Sequence, residues 1–302
     1  MSSNYAPIAI FVYNRPDHTK RLIESLLKNP EAANSELFIF SDGPKSEADV
    51  PAIALLREYL KTIGGFARIE IQENKRNIGL AYSIMGGVDL VFTLFEQIIV
   101  LEDDLEVSPY FLDYMNRALQ MFADNDKVFS ISGYSAPIHI PENYKHNIFT
   151  FHRINSWGWA TWRDRWKSVD WLVKDFPSFI RNKNFRSLFN QVGKDVTVML
   201  MKQQREKIDS WAIRFNFAAF KQQKLTVYPV KSLVQNNGAD GTGQNVEGTN
   251  KYLAYMTDAP IVFTKLVPPD HRIVRRYRKF FNPSVVRQLI NYFKIQIYLL
   301  AK

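Results

Sequence analysis

Along the first 135 residues, short apolar runs alternate with longer segments whose apolar positions recur at helical spacing. The short runs, residues 8–13, 37–41, 68–72, 98–101 and 128–132, predict strands. Between them helices are predicted over residues 17–28 behind Pro16, over 47–62, over 81–95 behind Gly79, and over 109–122 with Ser108 as N-cap and Pro109 in the first turn. This alternation is the pattern of repeated βαβ units, so the expected fold class is α/β, with a mainly parallel sheet flanked by helices. The second half is less regular. Residues 176–224 read as two helices, five of the six Trp crowd into 157–171, and a polar, glycine-rich stretch fills 236–250. Beyond Pro268 and Pro269, Asn282 and Pro283 open a last helix in which Val285, Val286, Leu289, Ile290, Phe293, Ile297 and Leu300 recur at helical spacing, while Arg287, Asn291 and Lys294 share another face.

Composition narrows the class. With 302 residues, 46% of them hydrophobic and 14% aromatic, the chain is globular, and disorder and collagen-like repeats are excluded. One main domain with elaborations is expected, over 1–267, with a tail over 268–302. The absence of Cys removes disulfides, thiolate metal sites and Cys nucleophiles. The opening residues show no secretory signal and no run of 18 apolar residues occurs, so a cytoplasmic location is expected. The net charge of +9 invites a nucleic-acid or acidic-membrane reading. However, the last 32 residues carry eight Lys or Arg and no acid, which leaves the first 270 nearly neutral. A basic amphipathic tail of this kind suits the interface of a membrane, with packing on its own domain or on a subunit as the alternative.

Parallel sheets bind ligands beyond the carboxyl ends of their strands. Three such ends carry polar groups: Asn14-Arg15-Pro16, Asp42-Gly43-Pro44 and Glu102-Asp103-Asp104. Three successive carboxylates at the end of a buried strand are costly without a cation, and Mg²⁺ or Mn²⁺ would be held by one or two of them with phosphate and water. The competing reading is a solvated acidic turn. Asp42 fits either an Asx-turn or a ribose or base contact, and Arg15 either a surface turn or a donor to a nucleotide. The Trp cluster reads either as core or as a sugar-stacking surface. No GxGxxG, phosphate loop or GxSxG elbow is present, and the five His lack metal-ligand spacing.

The order IAIFVYNRP, SDGP, NIGLAYS, IIVLEDD, SWGWATWRDRW and NNGADGTG resembles bacterial glycosyltransferases of the GT-A fold, similar in pattern to family-2-like enzymes and to N-acetylglucosaminyltransferase I, over about residues 7–245. The resemblance implies a donor half over about 1–135 and an acceptor half over about 136–267. It matches Asp104 to the metal ligand for Mn²⁺ or Mg²⁺, and Glu102 and Asp103 to residues facing ribose and donor sugar. Arg15 and Asp42 fall at nucleoside-contacting positions, Asn77 and Gly79 in a donor-side turn, and Trp157, Gly158 and Trp159 in the donor-site aromatic segment. Asp209, ahead of Trp211, falls where the family carries its catalytic carboxylate, with Asp240 as the rival base. Gly238, Gly241 and Gly243 would give a lid its flexibility. The family's segment often closes with His, and here Gly243 is followed by Gln244.

The expected function is a metal-dependent, inverting hexosyl- or N-acetylhexosaminyl-transferase. It would use a nucleotide-diphospho-sugar, preferably UDP-linked, and a lipid-linked or surface-polysaccharide acceptor such as lipopolysaccharide or capsule. It would sit at the inner face of a bacterial plasma membrane through residues 271–302, with no nucleic-acid partner. The alternatives are a sugar nucleotidyltransferase, although its Gly-rich loop after the first strand is missing, and a non-enzymatic basic module binding nucleic acid or membrane.

Overall fold

The computed structural model describes residues 5–238, 250–263 and 267–300. Ten strands are described: β1 (Ile8–Val12), β2 (Glu36–Ser41), β3 (Arg68–Glu73), β4 (Gln97–Glu102), β5 (Leu105–Val107), β6 (Val128–Ser132), β7 (Ile148–Phe151), β8 (Trp159–Trp162), β9 (Leu225–Pro229) and β10 (Val234–Asn236). The helices are α1 (Pro16–Leu26), α2 (Val50–Leu60), α3 (Leu80–Leu94), α4 (Phe111–Met121), α5 (Arg163–Lys167), α6 (Phe176–Arg181), α7 (Lys183–Phe189), α8 (Val196–Gln203), α9 (Trp211–Lys221), α10 (His271–Phe281) and α11 (Val285–Leu300). Eight strands form one sheet in the order β3-β2-β1-β4-β8-β6-β9-β7, while β10 and β5 make a separate two-stranded ribbon. The pairs β3-β2, β2-β1, β1-β4 and β6-β9 are parallel, and β8 enters antiparallel between β4 and β6. The expected mixed, mainly parallel α/β sheet is therefore present, and it runs without interruption through residues on both sides of position 135.

Both faces of the sheet are covered, which explains why its central strands read as continuous apolar runs. In β1, Ile8, Ile10 and Val12 join one core, while Ala9 and Phe11 join the other under α3 and α9. Phe11 stacks on Phe40 at 4.9 Å between ring centroids.

Several elements differ from expectation. Residues 176–224 form four helices, not two, interrupted at Asn182, whose side chain caps α7, and around Asn190 to Asp195. Ser108 does not cap a helix that begins with Pro109. Its hydroxyl donates to the Thr257 carbonyl at 2.6 Å, and α4 begins at Phe111.

The first part of the tail belongs to the body. Ile273 and Tyr277 of α10 are fully buried, and Tyr277 packs against Phe149, Phe151 and Tyr228 on β7 and β9. Its hydroxyl accepts from the Ala136 N–H. Phe281 lies 4.5 Å from the Arg153 guanidinium, which is itself paired with Asp195. Replacing Tyr277 by Ala is expected to cost about 3–5 kcal/mol in denaturant unfolding. Tyr292→Ala on α11, at a ring 56% exposed, should stay within about 0.5 kcal/mol. Equal effects would show that α10 is not part of the core.

Candidate active site

The carboxyl ends of β1, β2 and β4 finish side by side. The Asp42 N–H donates to the Val12 carbonyl and the Asp103 N–H to the Phe11 carbonyl, so the end of β1 lies between the two acidic positions. Asp42 is buried, and both of its oxygens are engaged by the chain. Oδ1 accepts from the backbone N–H groups of Gly43 (2.9 Å) and Ile78 (3.0 Å), and Oδ2 from Asn77 Nδ2 (2.9 Å) and the Gly79 N–H (3.0 Å). Asn74 Nδ2 adds a bond at 3.2 Å. Asp42 thus shapes the 74–79 turn from within, and Asn77 and Gly79 reach it as neighbours from a distant stretch of sequence.

Arg57 was not singled out by the sequence. It clasps the same strand ends from α2, donating to Ser41 Oγ, the Asn74 carbonyl and, at 3.4 Å, the Asp42 carbonyl. Its position inside a predicted amphipathic helix gives no sign of this.

At the end of β4 the three carboxylates meet one cation. Arg15, immediately before α1, pairs through Nη2 with Asp103 and reaches Asp104 Oδ2 at 3.3 Å. Its remaining terminal nitrogen, Nη1, is buried and has no partner among the described residues. Burial pushes the Glu102 carboxyl up to about 8, with Asp104 and Asp103 adding to the effect and Arg15 opposing it. Burial likewise pushes Asp103 up to about 6, against Arg15 and with Asp104. Asp103, expected to face the donor sugar, is held inward by Arg15. Asp104 is the more open carboxylate.

The ribbon formed by β5 and β10 carries the start of the glycine-rich segment to this acidic corner. The Asn237 N–H donates to the Asp104 carbonyl at 2.8 Å, Asn236 Nδ2 lies 3.4 Å from Asp104 Oδ1, and Asn237 Nδ2 donates to Glu106. Gly238 lies so near Asp104 that a Cβ there would collide with Oδ2. Gly241, Gly243 and Asp240 lie outside the described residues. Beside Asn236 and Asn237 a cleft of about 420 Å³ opens toward Leu253, Met256 and the nearly fully exposed Tyr255.

Asp209 arrives from the opposite half of the chain. It precedes α9, whose first residue, Trp211, stacks on Trp159 at 4.8 Å, while Ser210 Oγ caps the helix at the Ile213 N–H. A Cβ on Gly79 would lie 3.7 Å from Asp209 Oδ2, which sets this half-exposed carboxylate against the turn that Asp42 holds. The buried Arg214 guanidinium lies 3.4 Å from Oδ1.

The aromatic segment divides. Trp159 is core, a correction to its expected place on a donor surface: it is fully buried between Trp166 and Trp211, on the sheet face covered by α3 and α9. Trp157 is half-buried, edge-on to Tyr134 and Tyr252. Gly158 has φ +58°, and a Cβ there would stand 2.8 Å from Val234 Cγ2, so this turn excludes a side chain for two reasons.

Asp103 and Asp104 face one guanidinium and Asp104 is the more exposed of the two, while among the described residues no three His, Asp or Glu side chains surround a single point. The corner thus offers a hard dication one or two carboxylates and no closed ligand cage. Such a donor set holds a metal through one or two carboxylates and leaves the remaining positions to water and phosphate.

A family model described as "GNT-I family" matches residues 1–207. An α-1,3-mannosyl-glycoprotein 2-β-N-acetylglucosaminyltransferase of Arabidopsis thaliana is 22% identical over 192 residues, covering 59% of this chain and 42% of its own, so the chain spans less than half that relative's length. Among solved structures, the mannosyltransferase PcManGT from Pyrobaculum calidifontis in complex with GDP-Man and Mn²⁺ is similar with a TM-score of 0.34 and 14% identity, over 53% of this chain and 46% of that one. S. aureus TarS 1–349 is similar with a TM-score of 0.39 and 9% identity, over 77% and 61%.

The raised Glu102 carboxyl has a consequence for stability. Its folded value of about 8 exceeds the ordinary value near 4.3, so the folded chain holds an extra proton between those limits and loses stability as pH rises through them. In excess chelator, Glu102→Gln is expected to melt a few degrees above the parent at pH 8, with the two curves converging near pH 4. A difference independent of pH would contradict the burial of charge at this corner.

Proposed function

Because the chain belongs to the GNT-I family, we propose that it transfers a sugar from a nucleotide-diphospho-sugar, in the first instance a UDP-linked one, to a hydroxyl of a glycan or lipid-linked acceptor, with inversion at the anomeric carbon. One observation carries this reading: Asp209, from the second half of the chain, stands against the Gly79 turn at the same strand ends that bear Glu102, Asp103 and Asp104. A single displacement needs two functions, stabilisation of a leaving diphosphate and removal of a proton from the acceptor hydroxyl. The two acidic positions divide them.

Asp104 would hold Mn²⁺ or Mg²⁺, and the bound ion would supply Lewis-acid stabilisation to the departing phosphates. Arg15 orients Asp103 and Asp104 through charge-assisted hydrogen bonds. The Asp42 cradle fixes the 77–79 turn, which forms one wall of the donor site. Asp209, with one oxygen near Arg214 and the other toward Gly79, would accept the acceptor's proton. The cleft lined by Asn237 and Tyr255, with an exposed ring and amides at its edge, is where the acceptor sugar would approach. With Asp209 the one candidate base among the described residues, inversion by direct displacement is favoured, by analogy with the carboxylate logic of glycosidases.

With Mn²⁺ and a panel of sugar nucleotides, the purified protein is expected to release nucleoside diphosphate from at least one donor. Asp104→Ala should abolish this release. Asp209→Asn should lower kcat by about 10²–10⁴-fold while the donor KM changes little. Release of pyrophosphate from a nucleoside triphosphate and a sugar phosphate would replace this reading with nucleotidyl transfer. Undiminished turnover in Asp104→Ala or in excess chelator would remove the metal role.

A further inference from the structure

Among the elements of the tail, α11 is anchored along one side. Asn291 and Ile295 are buried, and the Tyr298 ring lies 6.2 Å from that of Phe176. Along the other side Val285, Leu289, Phe293, Ile297 and Leu300 are 73%, 56%, 59%, 66% and 88% exposed. They follow one another at intervals of three or four and form one continuous apolar stripe. Stripes of this extent on a soluble surface mark a contact with something apolar.

The charges beside the stripe say what that contact is. Arg287 and Lys294 lie together on one flank of the helix, between the apolar stripe and the side buried through Asn291 and Ile295. Lys202, at the end of α8, lies close enough to both that their charges, after burial, depress its own protonation. No acidic residue occurs from position 271 onward, and α10 adds Arg275, Arg276, Arg278 and Lys279. A second copy placed symmetrically on this stripe would bring like charges together. The 16 described residues of α11 span about 24 Å, and among the described residues no helix is long and apolar enough to cross a bilayer. An apolar stripe with a cationic border matches an interface of acyl chains beneath anionic phosphates.

We infer that α11 lies flat on an anionic membrane, with the stripe from Val285 to Leu300 in the interface and Lys202, Arg287 and Lys294 over the lipid phosphates. This narrows the membrane contact expected for residues 271–302. The apolar residues Ile273 and Tyr277 of α10 are inside the protein, so α10 is the strut and α11 the contact. The inference stands apart from the catalytic reading, because none of these residues belongs to the acidic site.

Cosedimentation of the full chain with vesicles of phosphatidylcholine, with and without phosphatidylglycerol, tests it. Binding should require phosphatidylglycerol and weaken as salt is raised. The double variant Phe293→Glu, Ile297→Glu should lose at least about tenfold in vesicle partitioning, with thermal midpoint, monomeric elution and donor turnover unchanged. The pair Arg287→Glu, Lys294→Glu should lose the preference for phosphatidylglycerol. Equal vesicle binding by the parent and the Phe293→Glu, Ile297→Glu variant would overturn the inference. So would a parent that is dimeric, fails to bind vesicles and becomes monomeric on the same substitutions.

Discussion

Three carboxylates closing a buried strand around a single guanidinium are the constraint on which the site depends. Glu102, Asp103 and Asp104 cannot all be comfortable there, and the surroundings are arranged to contain them. Arg15 must stand at the start of α1 to face Asp103, which fixes how the chain leaves β1. The strand that follows, β5, is tied to β10, and that ribbon brings Asn236 and Asn237 to the same corner. On the proposed function, the residual negative charge would suit the corner to a dication with a diphosphate, and the same charge makes it a locus of instability when neither is bound. A proposed functional role and a folding cost coincide in one short acidic run.

The second organising contact is apolar. Trp159 on β8 stacks with Trp211 at the head of α9, and Asp209 is two residues before that ring. β8 runs antiparallel beside β4, so the strand that anchors Asp209's helix is hydrogen-bonded to the strand that leads into Asp103 and Asp104. The residues proposed for the two chemical functions are more than a hundred positions apart, yet they rest on neighbouring strands of one sheet. The Asp42 cradle joins them from the other side through Gly79.

The parts of this arrangement legible in the sequence are those governed by local physics. β1, β2, β4 and β6 are apolar runs buried on both faces, and β6 begins and ends where the pattern places it. The Glu102 to Asp104 run is visible because carboxylates after an apolar strand are rare without a reason. What escaped is non-local. Three of the five partners of Asp42 are backbone N–H groups, at 43, 78 and 79, which no residue letter reports. β8 was obscured because four residues rich in Trp read equally as a sugar platform or as core. In the sheet their period of two sends Trp159 to one face and Trp162 to the other. α6 to α9 read as two helices because the breaks between them are made by side-chain caps and short 3₁₀ turns that helical periodicity passes over.

The Trp159–Trp211 stack separates how the two sides of the site respond to their medium. Arg15, Asp103 and Asp104 are placed by charge, so protons, counterions and phosphates can redistribute them. Asp209 is placed through an indole pair sealed from solvent, whose packing is indifferent to ionic strength. The chain thus couples an adjustable charged pole to a fixed carboxylate reference, and the distance between them is set by hydrocarbon and backbone.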